Sequence, residues 1–212
     1  MARICGVPAG VTEYTEGVER EVKFAVTGPC NPVAFAWSGI GLNCIHVGRI
    51  TTKATYWDTR ELDLFRAHAS VRYRTHDGWT MKEAMQGKGA FVVRKELYFP
   101  GGGDEVPASI MERLAKQGIA GPVETVAEME TVREVFHLRK GDGVEVAELV
   151  LDEVTVPARK CTRFVELEVE MKGEDALIEE NIVNLLEGER VLEREERSKL
   201  AHTLEILGRT GV

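Results

Sequence analysis

Apolar and polar residues alternate along most of the chain between residues 18 and 172, and β-branched or aromatic residues are frequent there. This two-residue period is typical of β-strands, because successive side chains of a strand point to opposite faces of a sheet. The pattern predicts about eight strands, at residues 18–26, 51–57, 69–75, 78–85, 91–99, 126–138, 144–156 and 163–172.

Glycine-containing turn sequences separate several of these strands. His-Asp-Gly at 76–78 and Gly-Asp-Gly at 141–143 are strong hairpin signals, and Pro-Gly-Gly-Gly-Asp at 100–104 marks a further loop. Because hairpins join antiparallel neighbours, we expect a mostly antiparallel sheet.

Helices and an irregular arm complete the predicted architecture. Short helices are expected at 59–68 and 109–117, and a charged, amphipathic helical segment over 174–207. Residues 1–17 lack a sustained period and are expected to form a loose arm. The remaining residues, 18–212, then form one α+β domain with strands up to about residue 172 and helices after it.

Three of the predicted strands carry several charges on one face. In the last strand, the apolar residues Val165, Leu167 and Val169 alternate with glutamates. The charged residues at two-residue spacing are Glu19, Glu21 and Lys23 in the first strand, Arg72 and Arg74 in the third, and Glu166, Glu168 and Glu170 in the last.

A solvated face of an ordinary antiparallel sheet would explain any one of these strands. The full set favours a shared cavity, since neighbouring glutamates repel one another unless cations lie opposite them. A closed barrel provides such a cavity, because alternate residues of every strand face inward. Arginine and lysine there would bind phosphate oxygens, and carboxylates would bind Mg²⁺ or Mn²⁺. A triphosphate suits both kinds of group.

The composition narrows the class of protein. Charged residues make up 29% of the chain, the apolar fraction is 43%, and the net charge of -8 argues against nucleic acid as a partner. Cysteines at 5, 30, 44 and 161 lack zinc-site spacing and are expected to be reduced thiols. With no signal-peptide pattern, and with the apolar stretch 33–44 too short to span a bilayer, we expect a cytoplasmic enzyme without membrane contact.

An ordered set of motifs resembles the CYTH superfamily, the triphosphate tunnel metalloenzymes. It begins with Glu-Arg-Glu-Val-Lys at 19–23, an E-x-E-x-K motif, and continues with Tyr-Trp-Asp-Thr at 56–59 and Val-Arg-Tyr-Arg at 71–74. The later members of the set are Lys82, Arg94, Arg133, Asp152, Glu166 with Glu168, and Ser198 with Lys199. The resemblance extends over roughly residues 18–204, and its specificity comes from the order of the motifs.

The resemblance implies an eight-stranded antiparallel closed β-barrel, or tunnel, that binds a triphosphate together with Mg²⁺ or Mn²⁺. The implied metal ligands are Glu19, Glu21, Asp152, Glu166 and Glu168. The implied substrate-binding residues are Lys23, Arg72, Arg74, Lys82, Arg94, Arg133 and Lys199. The implied catalytic residues are Lys23, Arg72, Arg74, Lys82, Arg133 and Glu168, where Glu168 is a ligand or orients the attacking water.

Three functions fit these residues. The preferred one is hydrolysis of a triphosphate, with inorganic tripolyphosphate ahead of thiamine or nucleoside triphosphates. The alternatives are a class IV adenylate cyclase and a barrel that binds polyphosphate without turnover; acidic pairs on the first and last strands favour catalysis over the latter, because carboxylates weaken anion binding. The five histidines share no ligand spacing and are expected to be structural. The oligomeric state stays open, with a homodimer as one option.

Overall fold

The computed structural model of the protein describes residues 14–85, 90–119, 121–159 and 162–209. Within these ranges the strands are β1 (Thr15–Val26), β2 (Leu42–Asp58), β3 (Ala69–Arg74), β4 (Gly78–Ala84), β5 (Val92–Phe99), β6 (Glu124–Lys140), β7 (Glu145–Thr155), β8 (Arg163–Met171) and β9 (Leu192–Arg194). The α-helices are α1 (Asp63–Arg66), α2 (Ala108–Lys116), α3 (Ala176–Glu187) and α4 (Lys199–Leu207). Short 3-10 helices at Pro32–Ala34 and Trp37–Ile40 precede β2.

Eight strands close into an antiparallel ring in the order β5-β4-β3-β2-β6-β7-β8-β1, and β1 pairs with β5 to complete it. The first half of β1 pairs with β5 and its second half with β8, while β9 covers the edge of β1 at Phe24 to Val26. The prediction of a closed antiparallel ring with flanking helices is confirmed.

Alternation along the strands separates a charged inner face from an apolar outer face. In β8, Leu167 and Val169 are fully buried against α3, whereas Glu168 lines the interior of the ring. Register then aligns the inner residues of neighbouring strands: Lys23 lies opposite Glu168 in the β1–β8 pair, and Asp152 lies opposite Glu166 in the β7–β8 pair. The interior of the ring therefore brings together charges that are far apart in sequence.

Three apolar clusters attach the helices to the ring. Ile182 and Leu186 of α3 pack on the outer faces of β1, β7 and β8, and Leu114 of α2 packs on β3, β4 and β5. Leu200 and Leu204 of α4 pack near the ends of β2, β6 and β7. Full burial of such an aliphatic side chain stabilises a fold by roughly 1.5–3 kcal/mol.

Two regions differ from the predicted elements. Strand β2 begins at Leu42 instead of residue 51, because a bulge between His46 and Gly48 interrupts the alternation on which the prediction relied. The tail is not one helical segment: α3 is followed by β9, which pairs with β1, and then by α4.

Smaller differences occur near the first helix and the arm. The helix predicted at 59–68 is limited to Asp63–Arg66, because Leu62 and His68 adopt left-handed conformations with φ of 61° and 54°. Most of the predicted arm, residues 1–13, lies outside the described residues, and Thr15 to Gly17 belong to β1. None of the helices in the described ranges has the length and apolar character needed to cross a membrane.

Candidate active site

The ring encloses a cavity of about 400 Å³ lined mainly by charged side chains. The predicted site residues that line it are Glu19, Glu21, Lys23, Arg72, Arg74, Lys82, Arg94, Arg133, Glu168 and Lys199. Asp152 and Glu166 are fully buried beside it and contact Lys199. The sheet and α4 thus bring all the predicted site residues to one region.

Arg72 and Arg74 of β3 form one wall, here called the basic wall. Among the described residues no carboxylate lies within 4.0 Å of the Arg72 guanidinium, and Arg74 pairs only with Asp77, at 3.1 Å. The Nε atoms of both arginines are buried and have no hydrogen-bond partner. The charge of Arg72, with burial as the second cause, lowers the pKa of Arg74. The basic wall therefore contains one guanidinium, that of Arg72, without a carboxylate within 4.0 Å among the described residues.

Tyr56 of β2 reports the same positive potential. Its side chain is buried, and burial opposes ionisation of the hydroxyl, yet Arg72 and Arg74 outweigh that effect and lower the pKa of Tyr56. A phenol becomes more acidic where positive charge stabilises the phenolate. An anion would be stabilised in the same place.

Glu19 and Glu21 of β1 form ion pairs with lysine and arginine. Lys82 Nζ lies 2.6 Å from Glu19 Oε2 and 2.6 Å from Glu96 Oε1. Arg94 contacts the Glu21 carboxylate, and Lys23 Nζ lies 3.3 Å from it. These two glutamates therefore contact cationic side chains, and Lys23 connects Glu21 with Glu168, from which its Nζ lies 2.9 Å.

Asp152, Glu166 and Glu168 form a compact group, here called the acidic cluster. One carboxylate oxygen from each lies within 4.8 Å of the others, and all three side chains are buried. Arg133 donates to both oxygens of Asp152 at 2.8 and 2.7 Å. Lys199 Nζ lies 2.9 Å from Asp152 Oδ2 and 2.8 Å from Glu168 Oε2, and it contacts Glu166.

The three carboxyls of the acidic cluster ionise differently. Burial opposes ionisation of Glu168, but Lys199, Lys23 and Arg133 outweigh it and hold the pKa of Glu168 well below its ordinary value. Burial likewise opposes ionisation of Asp152, yet Lys199 and Arg133 lower its pKa. Burial raises the pKa of Glu166 to about 7, although Lys199 opposes this and the charge of Glu168 adds to it.

The donor atoms of the acidic cluster fit a divalent cation. All are carboxylate oxygens, the ligands that Mg²⁺ and Mn²⁺ prefer. Glu166 Oε2 is buried and has no hydrogen-bond partner, so acceptor capacity remains available inside the cluster. Asp152, Glu166 and Glu168 are therefore the residues that would hold the metal, and Glu19 and Glu21, which form ion pairs with Lys82 and Arg94, are not part of this compact group.

Two features of the site were missed by sequence reasoning. Glu148 of β7 lines the cavity, and so does Glu170 of β8, which was predicted on the charged face of its strand but not among the site residues. Asp58, at the end of β2, has a structural role: its buried carboxylate accepts from the backbone N–H groups of Thr59 at 2.7 Å and of Leu64 and Phe65 at 2.9 Å. It thereby fixes α1, which places Phe65 at the cavity wall.

Of the histidine, cysteine and tryptophan side chains in the described residues, few lie near the cavity. His68 lines the cavity, which the expectation of purely structural histidines did not include. Cys30 and Cys44 are free thiols; burial, with Glu189 as a second cause at Cys30, raises their pKa values to about 11 and about 12. Trp57 and Trp79 belong to the cluster under α2, with ring centroids 6.0 Å apart.

The ring of antiparallel strands encloses a tunnel whose wall carries basic groups on one strand and a compact group of carboxylates on others. The CYTH domain model matches residues 17–204, and the chain belongs to this family. The basic wall, the acidic cluster and all strands except the first two residues of β1 lie within the matched residues.

Solved structures share this fold at low sequence identity. A candidate adenylyl cyclase from Hippeastrum, described as having a dominant triphosphatase activity, is 18% identical, with a TM-score of 0.58 over 90% of this chain and 96% of the other. A candidate adenylate cyclase from Bacillus halodurans is 15% identical, with a TM-score of 0.51 over 88% and 98%. No curated protein matches the chain.

Proposed function

We propose that this protein hydrolyses a triphosphate inside its tunnel in a reaction that depends on a divalent metal ion. The observation that carries the proposal is the basic wall, where Arg72 faces the cavity without a carboxylate partner among the described residues. Burial of a guanidinium without an ion-pair partner raises the free energy of the folded state unless a bound anion becomes that partner. Arginine binds phosphate oxygens through two parallel hydrogen bonds. The acidic cluster on other strands of the ring supplies ligands for the metal.

Different residues of the tunnel are assigned different roles in phosphoryl transfer. Arg72, Arg74 and Lys82 would hold the phosphate chain, and Arg133 would offset charge that develops in the transition state. Glu168, whose pKa lies well below its ordinary value, suits a metal ligand better than a general base. The chemistry supplied by a bound divalent cation would be neutralisation of phosphate charge and polarisation of phosphorus–oxygen bonds.

Among the candidate triphosphates, the lining of the cavity favours inorganic tripolyphosphate as the substrate. Charged side chains dominate the lining of the cavity, which suits a small polyanion without an organic group. Trp57 and Trp79, which would be the strongest stacking partners for a nucleobase, lie in the outer apolar cluster. Thiamine and nucleoside triphosphates are alternative substrates whose organic group would lie at a mouth of the tunnel, near Phe65.

Adenylate cyclase activity is the second candidate, favoured by the descriptions of both similar structures as candidate cyclases. In that reaction the ribose hydroxyl of ATP would replace water as the nucleophile, attack the α-phosphorus and release pyrophosphate. Non-catalytic binding of a polyphosphate is less favoured. The acidic cluster would weaken binding of an anion if it had no role in catalysis.

The test is to incubate the purified protein with tripolyphosphate, thiamine triphosphate or ATP, each with Mg²⁺, with Mn²⁺ or with a chelator. Orthophosphate and cyclic AMP are measured separately. We expect orthophosphate from tripolyphosphate with metal and none with the chelator. Cyclic AMP as the main product from ATP would establish the cyclase instead, and binding of all three compounds without turnover would leave only the non-catalytic function.

A further inference from the structure

Lys199 occupies the position in the acidic cluster that a cation would take. Its Nζ lies 2.9 Å from Asp152 Oδ2 and 2.8 Å from Glu168 Oε2, and it contacts Glu166 Oε1. The side chain is buried, so its ammonium group exchanges contact with water for contact with these three carboxylates. The oxygens that would bind a metal are therefore the ones already bound by Lys199.

Cationic side chains already contact every carboxylate of the acidic cluster. Three carboxylates of the acidic cluster face three cationic side chains, because Arg133 contacts Asp152 and Lys23 Nζ lies 2.9 Å from Glu168. A divalent ion placed beside the ammonium of Lys199 would be strongly repelled at this distance and depth. Binding of the metal to these oxygens thus requires that Lys199 withdraw.

Lys199 is also the first residue of α4, so its withdrawal would move the first turn of this helix. The Ser198 hydroxyl caps the helix by accepting from the Ala201 N–H at 3.1 Å, and Leu200 and Leu204 pack beside the ends of the strands. The contact of Lys199 with the acidic cluster fixes the first turn of α4 against the tunnel, where Ser198 and Leu200 line the cavity.

We propose that a divalent cation and the Lys199 ammonium are alternative occupants of the acidic cluster, so that metal binding detaches the first turn of α4 from the tunnel wall. The inference rests on the metal requirement of the proposed function. Once released, the ammonium group is free to bind a phosphate oxygen of the substrate. Metal and helix would therefore be coupled, and each would weaken the binding of the other to the cluster.

The first measurement is the affinity of the full chain for Mn²⁺ alone, by calorimetry, for wild type, Lys199→Met, Lys199→Arg and Lys53→Met. Lys53→Met is the matched control: it removes the same charge from an exposed side chain that pairs with Glu130 at 2.8 Å. We expect Lys199→Met to bind Mn²⁺ at least about tenfold more tightly than wild type. Lys199→Arg and Lys53→Met should bind it about as wild type does.

The second measurement is hydrogen exchange of the amides of α4 with and without saturating Mn²⁺. Exchange in the first turn should rise with Mn²⁺ in wild type and should already be high, and insensitive to Mn²⁺, in Lys199→Met. If Lys199→Met unfolds more readily, Mn²⁺ should raise its melting temperature more than that of wild type, because stabilisation by a ligand grows with the logarithm of its affinity.

Equal or weaker Mn²⁺ binding by Lys199→Met, or α4 exchange that Mn²⁺ leaves unchanged in wild type, overturns the inference. Metal-dependent turnover by wild type together with either result would show that the function stands and the competition does not. A wild-type protein that turns over none of the three triphosphates removes the proposed function, whatever the Mn²⁺ affinities are.

Discussion

Arg72 is the residue that most strongly favours a bound anion in the tunnel. Its guanidinium faces the cavity, its Nε is buried without a hydrogen-bond partner, and no carboxylate of the described residues lies within 4.0 Å. A partly buried charge without a partner lowers the stability of the fold. Sites that lower stability are retained where function requires them.

Replacement of Arg72 by Gln should therefore separate activity from stability. We expect turnover of the triphosphate to fall by about 100-fold or more, the usual effect of losing one preorganised group that stabilises the transition state. The melting temperature should stay the same or rise, since no ion pair is broken. The measurements are orthophosphate release and thermal unfolding of the same preparations.

Arg163→Gln is the control for this substitution. Arg163 is an exposed residue of β8 that pairs with Glu153 at 2.8 Å and does not line the cavity. It should leave both turnover and melting temperature almost unchanged. A marked loss of stability in Arg72→Gln, or activity equal to wild type, would contradict the assignment of Arg72.

At the residue scale, the sequence predicted which side chains face inward but not what they contact. Two-residue spacing placed Glu166 and Glu168 on one face of β8, and they do face the tunnel region together. The contacts of Lys82 with Glu19, 63 positions away, and of Lys199 with Asp152 depend on ring closure and on the path of the tail. Spacing along one strand contains no information about such contacts.

At the scale of elements, one glutamate connects β9 with α4. Glu195 follows β9, and its N–H donates to the backbone oxygen of Lys23 at 3.1 Å. Its carboxylate accepts from Arg197 at 2.8 Å and lies 3.0 Å from His202 of α4. Burial opposes ionisation of Glu195, but Arg197 and His202 outweigh it and lower its pKa to about 2 from an ordinary value of 4.5.

This lowered pKa predicts a stability that depends on pH. Because the folded protein favours the ionised carboxylate, Glu195 stabilises it above pH 4.5, and the contribution is lost as pH falls towards about 2. Arg197 is half exposed, so solvent screening limits the effect to on the order of 1–2 kcal/mol. Glu195→Gln should lower the free energy of unfolding by that amount near neutral pH.

The measurement is urea unfolding of wild type and Glu195→Gln at a series of pH values down to about 2. The difference between the two proteins should shrink below pH 4.5 and disappear near pH 2. Glu193→Gln, at an exposed position of β9, serves as the control and should unfold like wild type. A difference that is constant over this range would show that the ionised carboxylate is not its source.

Strands were predicted correctly where apolar and polar residues alternate regularly, and they were missed or shortened where this alternation is interrupted. Strands β3, β4 and β8 lie within a residue or so of their predicted bounds, because each alternates without interruption. The bulge in β2 concealed its first nine residues, Leu42 to Ile50. The short strand β9 was missed because its three residues, Leu-Glu-Arg, show no strand pattern of their own. Only their pairing with β1 defines them as a strand.

At the scale of the whole molecule, the apolar core and the candidate active site lie on opposite faces of one sheet. The apolar clusters lie between the ring and its helices, and the charges lie inside the ring. The sequence predicted this division from alternation, whereas closure into a tunnel was predicted from the family motifs. Strands with one charged face are compatible with an open sheet as well, and only the pairing of β1 with β5 distinguishes the two.

This division predicts that an outer core substitution will weaken the fold without damaging the site. Leu114 of α2 is fully buried with Trp79, Met81 and Leu97, on the face away from the tunnel. Leu114→Ala should lower the free energy of unfolding by about 2–5 kcal/mol, through lost burial and the cavity that remains. Turnover per folded molecule, measured well below the melting temperature, should match wild type, and Glu112→Ala at an exposed position of the same helix should change neither property. Loss of turnover in Leu114→Ala while the protein is still folded would mean that α2 positions the charged residues, and the two faces would then be coupled.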